Sequence, residues 1–126
     1  MIVYPNYPVD DEGLPTFTAS GGKADIECYT DECNSLVEVT LMQGRNQSIQ
    51  EIPAVRRHLE EQIQCSPEKT NFSIFIAPTI HADSQFMIEF SKHQYQIDIV
   101  PYTIDGFIDR VERTNDIIDL LQPEVE

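Results

Sequence analysis

Apolar residues recur along this chain at two periods, and the switches between them set the order of elements. In Ala24-Asp25-Ile26-Glu27 and again in Leu36-Val37-Glu38-Val39-Thr40-Leu41, short apolar and β-branched runs each carry a single acid among their neighbours. Such runs predict strands over 24–29 and 36–42, joined by a turn-like segment, 30–35. Ile49, Ile52, Val55, Leu59 and Ile63 repeat at helical spacing and predict an amphipathic helix. Phe72–Ala77 reads as a buried strand ended by Pro78, and 82–92 as a helix with Phe86 and Phe90 on one side. Tyr95–Val100 alternates cleanly and predicts a strand stopped at Pro101. Ile104, Phe107, Ile108 and Val111 predict a third helix, and Ile117, Ile118, Leu120 and Leu121 a last one before Pro123. Residues 1–20, with Pro5, Pro8 and Pro15, read as extended or irregular.

The order β-β-α-β-α-β-α predicts an α/β fold, a mixed β-sheet flanked by helices, with its site at one end of the sheet near the first hairpin. The 126 residues suffice for a single domain with one core, 1–20 being its irregular lead and 115–126 an acidic tail. No run of apolar residues is long enough to span a membrane, and the N-terminus lacks the pattern of a signal peptide. Cys28, Cys33 and Cys65 are an odd set that predicts free thiols and a cytoplasmic setting.

Charge changes the picture more. The net charge of −14 leaves eight Lys and Arg, too few for a chain that grips a polyanion by itself. It fits an acidic surface, a metal site, or a catalytic module whose DNA-gripping part lies elsewhere. Two acids stand out because of their frames. Paired strands bring Asp25 and Glu38 close enough to hold one divalent cation, and a carboxylate leaving water needs such a counter-charge. The Val39 carbonyl offers a further oxygen. The alternative for each acid is a solvent-facing position at a strand edge.

An acid near one strand and an E-x-K-like triplet on the next resemble the PD-(D/E)xK nuclease pattern, here Asp25 and Glu38-Val39-Thr40. The longer run through Gly44-Arg45-Asn46-Gln47 to Glu51 and Arg57-His58-Leu59 resembles the cleavage domain of the AlwI family, type IIS restriction and nicking endonucleases. The resemblance implies a restriction-endonuclease-like core and restriction-modification function. It implies cleavage of double-stranded DNA dependent on Mg²⁺, with Mn²⁺ as a substitute. Asp25, Glu38 and Glu51 match the family's acidic positions, and a separate recognition domain or subunit is expected. Cutting both strands would call for a dimer or a second subunit.

Thr40 stands where the pattern has Lys; it offers a hydroxyl to water or phosphate, or is a plain strand residue. Ser48-Ile49-Gln50-Glu51 is also a capping-box pattern, which would turn Glu51 back to the helix start. Lys23 and Arg45 are candidates for contacts to the DNA backbone, and Gln47 for orienting water or phosphate. His58, seven residues after Glu51, is a candidate general base or a packed helix histidine. The rival to the nuclease reading is a non-catalytic interaction module, or inactive remnant, on the same fold.

Overall fold

Five strands form one mixed sheet in the sequential order β1-β2-β3-β4-β5 in the computed structural model, which describes residues 1–17, 19 and 22–121. The strands are β1 (Ile2–Pro5), β2 (Ile26–Tyr29), β3 (Cys33–Val39), β4 (Thr70–Ala77) and β5 (Ile99–Thr103). β1, β2 and β3 pair antiparallel, and β3, β4 and β5 pair parallel. The parallel strands are linked through helices α1 (Ile52–Cys65) and α2 (Ala82–Tyr95); α3 (Ile104–Glu112) follows β5, and a short 3₁₀ turn spans Ile117–Leu121. Crossovers of one hand between sequential strands place α1 and α2 on the same face. There Ile52, Val55, Leu59 and Ile88 pack with Leu36, Phe75 and Ile99. The opposite face carries Val37, Phe72, Ile74 and Tyr102 under Phe107 and Leu120. β4, covered on both faces, is a near-continuous apolar run for that reason. The mixed sheet flanked by helices is the predicted α/β architecture.

Several predicted details shift. The stretch expected to be irregular contains β1, because Ile2–Pro5 finds its partners in Ile26–Tyr29, a pairing no local pattern announces. β3 begins at Cys33, so the turn shrinks to three residues and is closed by Thr30 N–H to the Cys33 carbonyl at 2.8 Å. Helix α2 runs on to Tyr95, and the last strand occupies 99–103 instead of 95–100. Gln96 takes a positive φ of 54° at the end of α2 and turns the chain toward β5. Pro101 lies inside β5, which is tolerated because β5 is an edge strand with one side of its backbone unpaired.

Ahead of α1, Gln47–Glu51 winds as a wide π-type turn, with Ile52 N–H reaching back to the Gln47 carbonyl. This wider winding puts Gln47 and Ser48 inward and leaves Ile49 exposed, against the helical spacing that grouped Ile49 with Ile52. In α2 the inward positions are Ser84, Ile88 and Ser91; Phe86 and Phe90 are exposed and stack on each other at 6.4 Å. The three cysteines are free, Cys28 and Cys33 buried and Cys65 exposed. Among the described residues no helix is long and apolar enough to cross a membrane. Thr18, Ser20, Gly21 and residues 122–126, the end of the expected acidic tail, lie outside the described residues.

Candidate active site

The site is built where β2 enters the sheet and β3 leaves it. Ile26 pairs with Val37, so Asp25 stands one step ahead of the pairing, level with Glu38. Asp25 uses its carboxylate as a brace: Oδ2 accepts from the Val39 backbone N–H at 2.8 Å. The segment bearing Asp25 is itself tied to the N-terminal strand. Asn6 N–H donates to the Asp25 carbonyl at 2.9 Å, and the Asn6 amide donates to the Ala24 carbonyl at 2.8 Å and to Glu27 Oε2 at 2.9 Å.

Glu38 follows Leu36 by two positions and therefore shares its face of the sheet, beneath α1. It is buried at 9% exposure. Its partner comes from α1: His58 Nδ1 lies 3.1 Å from both Glu38 Oε1 and Oε2. Burial pushes the Glu38 carboxyl above the usual carboxylate range. His58 pulls it partway back, through charge and hydrogen bond, and the Asp25 and Glu51 carboxylates push it up again. Three acids thus share one electrostatic neighbourhood, around a carboxylate held largely out of water.

Glu51 ends the π-type turn. Its Oε1 accepts from Thr40 Oγ1 at 3.1 Å, and Thr40 Oγ1 in turn accepts from the Met42 N–H at 3.0 Å. The expected capping box is absent: the Ser48 hydroxyl donates to the Arg45 carbonyl at 2.7 Å, and Asn46 at the start makes no side-chain cap. The wide turn sets Glu51 toward Thr40, at the end of β3, instead. In place of a motif lysine, Thr40 supplies an oriented hydroxyl whose partner is an acid of the same site.

The three substrate-contact candidates fare differently. Gln47 is fully buried. Its amide nitrogen donates to the carbonyls of Met42 at 3.0 Å and Thr79 at 2.7 Å, and its oxygen accepts from the His81 N–H at 2.9 Å. Those bonds occupy it with tying two loops together, away from solvent. Arg45 is exposed and only loosely paired with Asp83 at 3.7 Å. Lys23 is exposed and lines a cleft of about 310 Å³ with Ala24, Leu36, His58, Glu61 and Gln62. A larger groove of about 460 Å³, between α1 and α2 at Pro53, Arg56 and Phe90, is not lined by Asp25, Glu38 or Glu51.

The donor set is hard oxygen, the chemistry that suits Mg²⁺ and Mn²⁺. Asp25 and Glu51 each keep one carboxylate oxygen out of the hydrogen bonds just described, and Glu38 gains from any added positive charge. These features fit a divalent cation. The fit is open rather than closed: among the described residues no group of three or more His, Cys, Asp or Glu side chains is gathered tightly enough to hold a metal ion. The residue that sequence reasoning underweighted is His58. Its available signal was position, two turns beyond Glu51 on the inward face that also carries Val55 and Leu59.

Residues 1–109 match the family described as AlwI restriction endonuclease. The chain belongs to that family. Among solved structures it is similar to the small subunit, R.BspD6I2, of the heterodimeric restriction endonuclease R.BspD6I, at 28% identity and a TM-score of 0.79. The likeness covers 89% of this chain and 58% of that subunit, so this AlwI-family chain spans a little over half of its structural relative. No curated protein matches the sequence. The family and the fold agree on a restriction-endonuclease core, with Asp25, Glu38, Thr40 and Glu51 at one end of its sheet.

Proposed function

We propose that this AlwI-family chain is the cleavage module of a type IIS restriction or nicking endonuclease, hydrolysing DNA phosphodiester bonds with Mg²⁺ or Mn²⁺ held at Asp25, Glu38 and Glu51. The observation that carries the reading is Glu38: a buried carboxylate, kept in an apolar strand beside two further acids whose charges oppose its ionisation. Such an arrangement costs stability in the absence of a cation and is offset by one. The Val39 carbonyl is a further oxygen at the same strand end. A divalent ion held there supplies charge neutralisation and Lewis-acid polarisation of the scissile phosphate.

The chain's own residues divide the remaining work. The Val39 N–H and the Thr40 hydroxyl each fix one oxygen, of Asp25 and Glu51 respectively. Thr40 carries no charge, so the attacking water would be oriented by hydrogen bonding, without a lysine ammonium. Lys23 and Arg45, both exposed, would be the contacts to backbone phosphates. With a net charge of −14, affinity for duplex DNA would come from a separate recognition domain or subunit. The structural relative is a subunit of a heterodimer, which supports a second subunit here for cutting both strands.

Fusion to an unrelated DNA-binding module tests this reading, because a tether raises the local DNA concentration. Nicking near the bound site should require Mg²⁺ or Mn²⁺ and vanish with Asp25→Ala or Glu38→Ala. Thr40 in the lysine position favours the rival, a non-catalytic interaction module. A folded fusion that binds its site and never nicks, over several linkers and both metals, would establish that rival.

A further inference from the structure

We propose that His58 is a positioning residue of this site, holding the Glu38 carboxylate in the orientation that binds a cation; the role rests on reading Asp25, Glu38 and Glu51 as the cation site. A carboxylate that ligates a cation accepts hydrogen bonds and donates none, so in that state the contact with His58 calls for a proton on Nδ1. One N–H set 3.1 Å from each oxygen straddles the carboxylate and fixes the plane in which both oxygens lie. Each oxygen keeps further acceptor capacity for a cation. Among the described residues, His58 is the hydrogen-bond partner of the Glu38 side chain.

The histidine is not a surface residue that wandered into contact. Its side chain is 9% exposed and that of Glu38 12%. Val55 and Leu59, on the same inward stripe of α1, are buried at 1% and 0% and hold the helix against the sheet. Glu51 immediately precedes the same helix, and its side chain is held by Thr40. Docking of one helix therefore sets two of the three acids, Glu51 from its start and Glu38 through His58 two turns later. Partners that orient metal ligands in this way commonly change metal affinity about 10–100-fold when removed.

Mn²⁺ affinity, measured on the full chain by electron paramagnetic resonance of free Mn²⁺, tests the role, with circular dichroism verifying the fold of each variant. His58→Ala should weaken binding about 10–100-fold. His58→Asn, whose amide N–H can stand near the former Nδ1–H, should recover most of that loss. An affinity of His58→Ala within about twofold of the parent, or His58→Asn no better than His58→Ala, overturns the role while leaving the cation site intact. A parent that binds no Mn²⁺ at millimolar concentration, or Glu38→Ala binding as the parent does, overturns the cation site and the positioning role together. Nitrogen-15 spectra of the metal-free parent give a readout free of any folding defect. A proton on His58 Nδ1 is expected, and a bare Nδ1 with the proton on Nε2 overturns the role.

Discussion

Glu38 and Gln47 are both buried polar residues near β3, and they ask different things of the fold. Glu38 binds its proton more tightly in the folded protein than in the unfolded chain, because burial raises its pKa. Stability then falls as pH rises from the ordinary carboxylate range through the raised folded value, and stays lower above it. Glu38→Gln removes that loss. The metal-free variant is expected to exceed the parent at neutral pH by about 0.5–2 kcal/mol. The gap should narrow below the ordinary carboxylate range, as urea unfolding across pH would show. Gln47 works the other way, since its amide satisfies three backbone groups. Gln47→Leu leaves those groups unpaired and should cost roughly 3 kcal/mol in the same assay. A variant as stable as the parent would show that these three bonds do not hold the two loops together. At this scale the sequence was half legible. The acids are conspicuous because their neighbours are apolar, whereas the bond from His58 to Glu38 joins residues of separate elements.

At the scale of elements, periodicity disclosed what each segment packs against only where one face is apolar throughout. The Phe72, Ile74, Ile76 face of β4 and the stripe Ile52, Val55, Leu59 belong to this class. Ile49 departs from its stripe because a π-type turn changes the phase before α1 begins. The inward face of α2 is marked by small serines that a search for bulky residues passes over. β1 was illegible for another reason: its four residues are all exposed, and only pairing with β2 makes it a strand. That strand matters to the site, since the Asn6 side chain immediately after it donates to the Ala24 carbonyl and to Glu27. Asn6→Ala should cost about 1–3 kcal/mol of stability in urea unfolding. It should also weaken Mn²⁺ binding, by freeing the segment that carries Asp25. Unchanged stability and binding would show that β1 is a passenger at the sheet edge.

For the molecule as a whole, an excess of acid sets the terms on which it meets DNA. Eight basic residues against a net charge of −14 leave little to neutralise phosphates, and salt screens what remains. Duplex DNA should bind the isolated chain more weakly than about 10 µM at physiological salt, measured by fluorescence anisotropy. Submicromolar binding would reveal a basic surface that Lys23 and Arg45 do not account for. The claim on which the functional reading depends is that Asp25, Glu38 and Glu51 hold one divalent cation, and anomalous diffraction from crystals soaked in Mn²⁺ tests it most directly. The account predicts a peak about 2.0–2.4 Å from oxygens of these carboxylates, at the end of β3. No peak there at millimolar Mn²⁺, or a peak only at other surface acids, would contradict it.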